Sequence, residues 1–165
     1  MPLQPAVVDM EQLKDRPPLA ALLAQLPDSV QAARFDLGEL TIYLNRGLLR
    51  QAVELLRNSA ELRFESLADL TCVDWYPSEP RFEVVYELLS MARKERIRLK
   101  VRLAASDAKV ESVTSIWPAA NYFEREVFDL FGIQFEGHPY LRRIMMPEDW
   151  EGHPLRKDYP VEGYR

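Results

Sequence analysis

A chain of 165 residues with 47% hydrophobic, 28% charged and 10% aromatic residues has the make-up of one soluble globular domain, large enough to bury a core without disulfides. Its single cysteine, Cys72, cannot form an internal disulfide or by itself supply the thiolates of a zinc site or iron–sulfur cluster, and a net charge of -5 lacks the basic surplus that a general nucleic-acid binder sets against phosphates. The longest apolar stretch, Leu19 to Leu26, is far short of the roughly 20 residues that span a bilayer, and Met1 to Glu11 carries no basic segment leading into an apolar one, so the expectation is a cytoplasmic protein with no span and no secretion signal.

Pro17 and Pro18 can open a helix but not sit inside one, and Leu19, Leu22, Leu23 and Leu26 follow at helical spacing up to Pro27. Two alternating runs come next, Ala33, Phe35, Leu37 and Leu40, Ile42, Leu44. With Gly38-Glu39 as a two-residue turn, Leu37 is expected to face Leu40 and both apolar sets to share one face. Asn45 is placed to cap a helix whose stripe is Leu48, Leu49, Ala52, Val53, Leu55 and Leu56.

Leu70 to Trp75 reads as a buried strand closed by Pro77 and Pro80, with Cys72 as a small core residue. Phe82, Val84, Tyr86 and Leu88 then alternate in one strand, and Ile97, Leu99, Val101 and Leu103 in another, joined by a loop at Met91 to Lys94. Pairing even with odd apolar positions brings Glu83 and Glu87 near the row Arg96, Arg98, Lys100, Arg102. That row therefore reads as a cross-paired face before it reads as an RNA-binding one. A last helix is expected from Pro118 to Phe131, stopped by Gly132, with Ala119, Phe123, Val127, Leu130 and Phe131 on one side. On that wheel Glu126 falls at the edge of the stripe and Phe128 points outward, so this side reads equally as a docking surface or as a solvated face on which Arg125 and Asp129 form a surface pair. From Glu136 periodicity ends in a stretch rich in Pro and Arg. The pattern predicts an α+β fold, a two-layer domain over 1–135 with a mainly antiparallel sheet packed by helices, and an extended docking arm over 136–165.

The arm repeats itself. Glu136-Gly137-His138-Pro139 and Glu151-Gly152-His153-Pro154 are each followed by a leucine and two bases, Leu141-Arg142-Arg143 and Leu155-Arg156-Lys157. Each copy offers a flexible glycine, a proline that holds its predecessor extended, an apolar anchor and cations able to grip carboxylates, which suits docking to a peptide. His138 and His153 could instead act with nearby acids in a free-standing hydrolase or metal enzyme, but no third ligand has motif spacing. No phosphate-binding glycine loop and no nucleophile elbow is present.

From Glu124 the residues Glu124-Arg125-Glu126, Asp129-Leu130-Phe131-Gly132, Gly137-His138-Pro139 and Leu141-Arg142-Arg143 resemble the signature of the 30 kDa-type subunit, also called the C-type subunit, of proton-pumping NADH:quinone oxidoreductases, the respiratory complex I family. Met146-Pro147-Glu148-Asp149-Trp150 and the run Gly152 to Pro160 are similar to that family's C-terminal arm, and Asp69 to Trp75 and Phe82 to Leu89 are similar upstream. The resemblance covers Leu62 to the end. It implies a component of the peripheral arm with no catalytic centre, flavin, cluster or quinone of its own. FMN and iron–sulfur clusters would belong to partner subunits, and the neighbours would be chiefly the D-type subunit, with the B-type and I-type subunits, on the cytoplasmic face of the bacterial inner membrane. The partner interface it implies comprises Glu124, Arg125, Glu126, Phe128, Asp129, His138, Arg142, Arg143, Trp150, Arg156, Lys157, Asp158 and Tyr159. The equivalent component of a related membrane-bound hydrogenase stays open as a second reading.

Overall fold

A computed structural model describes residues 6–164. The expectation about Met1–Glu11 thus lies partly outside the described residues. The architecture is α+β. A mainly antiparallel five-stranded sheet is built from β1 (Val30–Asp36), β2 (Glu39–Leu44), β3 (Ser66–Asp74), β4 (Phe82–Ser90) and β5 (Glu95–Leu103), in the order β1-β2-β5-β4-β3. The helices are α1 (Met10–Leu13), α2 (Pro17–Gln25), α3 (Leu49–Asn58) and α4 (Ala120–Phe131), and two short strands, β6 (Lys109–Glu111) and β7 (Gln134–Glu136), pair in parallel. The chain divides into two compact units: residues up to Asp69 with Tyr86–Val101, and Leu70–Val85 with residues from Arg102 onward.

In the first unit, Pro17 opens α2, which buries Leu19 and Leu22, while α3 buries Leu49, Ala52, Val53 and Leu56. Asn45 caps the 3-10 turn that leads into α3, accepting the Gly47 N–H at 3.1 Å. The β1–β2 hairpin differs from the expected register. Its turn is Leu37-Gly38, Asp36 faces Glu39, and Phe35 faces Leu40. Both turn residues have positive φ, 51° and 86°, the geometry whose twist matches the flanking strands; Gly38 takes it freely and Leu37 under strain. The slip is by an even number of positions, so the apolar sets still share a face. β2 runs parallel to β5, aligning Leu40 with Ile97 and Ile42 with Leu99, all four buried.

The loop between β4 and β5 is Met91 to Lys94, as the alternation predicts. Two members of the basic row are cross-paired, Arg98 with Glu87 and with Glu39, and Arg102 with the buried Glu83 at 3.2 Å. In the second unit the core gathers Val84, Val110, Val113, Trp117, Val127 and Phe135, with Val110 facing Phe135 across β6 and β7. These two strands are three residues each, too short for their alternation to stand out in the sequence. From Gly137 to Tyr164 the described residues form turns, bends and irregular segments, with no helix or strand.

Candidate partner-docking surface

The second unit is organised by α4, and two corrections fix its faces. Val127 and Phe131 are buried as expected, but Ala119 is exposed and Phe123 half-buried while Ala120 and Glu124 are buried, so the first half of the stripe lies one position on from the expected one. The carboxylate of the core side is therefore Glu124, fully buried, while Glu126 is exposed. Nor does Asp129 pair with Arg125 at the surface. It too is fully buried, because the C-terminal segment folds over the side of α4 that carries it.

Asp129 is a hub. The amides of Ile144, Met145 and Met146 donate to its Oδ2 at 3.0, 2.7 and 2.8 Å, and Arg143 Nη1 donates to its Oδ1 at 2.6 Å. Burial pushes the Asp129 carboxyl up, but the three amides and the guanidinium outweigh it and hold the group below its ordinary value. Arg143 is consumed here as well, its second terminal nitrogen donating to the carbonyls of Trp150 and Gly152 at 2.9 and 3.0 Å.

The second copy of the repeat completes the end of α4. A helix leaves its last carbonyls without intrahelical partners. His153 Nδ1 donates to the Asp129 carbonyl at 2.8 Å, the Leu155 N–H to that of Leu130 at 3.0 Å, and Arg156 Nε to that of Phe131 at 2.6 Å. Gly132 turns the chain at φ 76°, and a Cβ there would lie 2.5 Å from Arg156 and 2.6 Å from His153, so this position needs glycine for both conformation and room. The first copy docks near the other end of the same helix. The Nδ1 of His138 accepts the Tyr140 N–H at 2.9 Å, which places the ring proton on Nε2, facing the Asn121 carbonyl at 3.2 Å. Burial lowers both histidines, so both are neutral near pH 7.

A second latch joins Asp158 and Lys157, both expected at the interface, to Asp74 and to Arg81, which little in the sequence singles out. Arg81 binds Asp74 in bidentate fashion, Nε to Oδ1 at 2.9 Å and Nη2 to Oδ2 at 2.8 Å, and also reaches Asp158 at 2.6 and 2.9 Å. The Lys157 N–H adds a bond to Asp74 at 2.8 Å. Burial raises Asp74, yet Arg81 and the Lys157 and Tyr76 amides bring it down to about 2. The only local signal is an acid and a base flanking a proline-rich turn.

Glu124 is the exception. Ser112 Oγ and the Val113 N–H each donate to it at 2.7 Å, with no cation in the set, and burial pushes it up to about 7. Cys72 is pushed up to about 12 by burial, which removes it as a nucleophile. Among the described residues no group of three or more His, Cys, Asp or Glu is placed to hold a metal, and no helix is long and apolar enough to cross a membrane.

Of the thirteen residues expected at a partner interface, Glu124, Asp129, Arg143, Asp158 and His138 thus spend their polar groups within this chain, and Arg156 commits its Nε to it. Arg125 donates to the carbonyls of Arg142 and Arg143 and stands over the Tyr140 ring; Phe128 and Tyr159 are half-buried. Glu126, Arg142, Trp150 and Lys157 are exposed. They lie among uncovered apolar side chains: Tyr122, Tyr140, Met145, Leu155 and Tyr164 are each more than half exposed.

Known proteins similar to this chain form a consistent set. The family model of the respiratory-chain NADH dehydrogenase 30 Kd subunit matches residues 42–165, which extends the likeness upstream of Leu62. The C-type subunit of NADH-quinone oxidoreductase from Roseiflexus castenholzii is 50% identical over 143 residues, 87% of this chain and 82% of that one. Its counterpart from Rhodobacter capsulatus is 48% identical over 155 residues, covering 93% and 76%. Among solved structures, a trypsin-resistant fragment of Nqo5 aligns with a TM-score of 0.55 and 36% identity over 64% of this chain and 84% of the fragment. A chain of the archaeal membrane-bound sulfane sulfur reductase aligns with a TM-score of 0.71 and 27% identity over 87% and 84%.

Proposed function

The chain belongs to the family of the respiratory-chain NADH dehydrogenase 30 Kd subunit, and on that premise we propose that it serves as the C-type subunit of an NADH-quinone oxidoreductase, with no catalytic centre of its own. Electrons would pass from NADH through FMN and iron–sulfur clusters held by partner subunits to quinone. The chain would brace those partners, chiefly the D-type subunit and also the B-type and I-type subunits, from a peripheral position on the cytoplasmic face of the bacterial inner membrane.

The observation that carries the bracing role is the contrast within the arm. Its buried polar groups are spent on α4, on Asp74 and Arg81 and within the arm itself, while Tyr140, Met145, Trp150, Leu155 and Tyr164 stay exposed along one segment. A row of aromatic and apolar side chains of this kind marks a surface that another protein covers. The interface proposed on it is centred on Trp150, Tyr140 and Arg142, with Glu126 and Lys157 at its rim; the other expected residues shape that surface from within. The segment 136–165 acts as a docking arm and 1–135 as the domain that carries it.

The sulfane sulfur reductase likeness favours one second reading, the equivalent component of a related respiratory membrane complex such as a membrane-bound hydrogenase. A hydrolase built on His138 and His153 is disfavoured, because the two rings dock on different carbonyls of α4. Purification of the tagged chain from membrane extract, with identification of the chains that come with it, tests these readings. Flavin- and cluster-bearing NADH dehydrogenase subunits are expected; hydrogenase-type partners would select the second reading, and a lone chain would refute both.

A further inference from the structure

We propose that the first unit carries a docking site for an acidic segment of a neighbouring protein in the assembly, in the cavity lined by the β1–β2 turn and the Met91–Lys94 loop. The proposal rests on the assembly reading for the existence of a neighbour, and adds a second contact of defined chemistry on the unit that does not contain the arm.

The cavity has a volume of about 780 Å³ and an apolar floor of Phe35, Leu40 and Leu89, with Arg16, Lys94 and Arg96 around it. Its other ionic groups are spent: Arg93 is held by Glu95 at 2.8 Å, and Glu39 by Arg98 at 2.8 Å. Arg16, Lys94 and Arg96 have no carboxylate partner among the described residues, and the lining as a whole, with four cations to two carboxylates, is locally basic on a chain of net charge -5. The Arg16 guanidinium lies 3.4 Å from the centroid of the Phe35 ring. Contact with the ring anchors the guanidinium, and no hydrogen bond among the described residues takes up its N–H groups, which leaves them available to grip a carboxylate. Both tips hold side-chain-bearing residues at positive φ, Leu37 at 51° and Lys94 at 52°, and leave Leu37 and Met91 largely exposed. The hairpin geometry accounts for these φ values; what it does not account for is that both tips present large apolar side chains to solvent beside the cations, as a surface covered by another chain does.

The same features choose the occupant. The charge surplus selects an acid. The apolar floor selects a chain with a hydrophobic side chain beside that acid over a free inorganic anion, and the concave shape suits an inserted protein segment better than the flat face of a bilayer.

Zero-length cross-linking of the intact complex reads this contact. A water-soluble carbodiimide takes up the water lost when an amine and a carboxyl condense, becoming a urea and leaving an amide bond between groups already in contact. The expected product joins Lys94 Nζ to an Asp or Glu of another protein of the complex. It is absent from Lys94→Arg, whose guanidinium does not couple, and lost in Arg96→Glu, which repels the acid from an exposed position without touching the core. A complex that contains the chain while Lys94 stays uncoupled, or joins only Glu61 or Glu95 of its own chain, overturns this proposal alone. Capture of the chain by phosphatidylglycerol vesicles, dependent on Arg96 and without an intersubunit link, overturns it in favour of a lipid surface. A chain that comes with no other protein overturns the assembly reading and this proposal together.

Discussion

Two carboxylates on one helix, five positions apart and both fully buried, meet opposite fates. On the core side of α4, Glu124 receives one hydroxyl and one amide and is pushed up to about 7. On the arm side, Asp129 receives three amides and a guanidinium and is held below its ordinary value. Burial opposes the charge at both sites, so burial alone does not set the outcome. Glu124 lies deeper and has fewer donors, whereas Asp129 has four donors, one of them a cation, all delivered by a segment with no regular secondary structure. Irregular chain can supply consecutive free N–H groups to one oxygen, whereas a strand or helix has already committed its own.

The largest effect should come from removing the source of that difference. Truncation after Phe135 deletes every donor to the Asp129 side chain and leaves that carboxylate, with the last α4 carbonyls, unpartnered. The shortened chain should keep a cooperative transition, as expected for a domain over 1–135, while its thermal midpoint falls further than in any single variant. Loss of the transition would place the arm inside the core.

Next is Asp129→Ala, which strands a nearly buried guanidinium and three amides; a cost of roughly 3 to 5 kcal/mol in denaturant unfolding is expected. A loss below about 1 kcal/mol would mean that the hub is solvated in solution.

Glu124→Gln sharpens the contrast through pH. A carboxyl raised by folding contributes stability that is present below its unfolded value of 4.5 and lost as pH climbs through about 7. The parent chain should therefore lose up to about 3 kcal/mol from this group between acid and mildly alkaline pH, and the Gln variant should not. Asp129, shifted down, should act in the reverse direction, its contribution present above its unfolded value of 3.8 and lost on acidification. Matching pH profiles for the parent and Glu124→Gln would contradict the assignment.

The smallest effect on stability belongs to Arg142→Ala. Arg142 is exposed and pairs only with Glu148 and Tyr140, so the midpoint should not move, while the amount of assembled oxidoreductase in membranes falls. Unchanged assembly would remove Arg142 from the interface.

The strands β4 and β5, their loop and the Gly132 stop were legible in the sequence because a period of two and a left-handed terminus are local properties of the chain. The β1–β2 turn was legible only as to faces: Gly38-Glu39 and Leu37-Gly38 both return the chain, and an even slip leaves the alternation unchanged. The family was legible as well, from runs such as Asp129 to Gly132 and Gly152 to Pro160, whose spacing turns out to be fixed by hydrogen bonds to α4.

The sequence by itself determined the α+β class, the periodic strands, the helix stop and the kinship of this chain, since each is written in spacings of a few residues. Tertiary structure alone decided that Glu124 and not Glu126 enters the core, that Asp129 leaves the surface, and that Arg143 and Arg156 are spent inward while Arg142 and Trp150 are left outward. A helical wheel assumes one buried face, and α4 has two. The second is made by an aperiodic segment that reaches it from as far as 25 positions along the chain, as Arg156 does at the Phe131 carbonyl, and no local pattern reports such a contact.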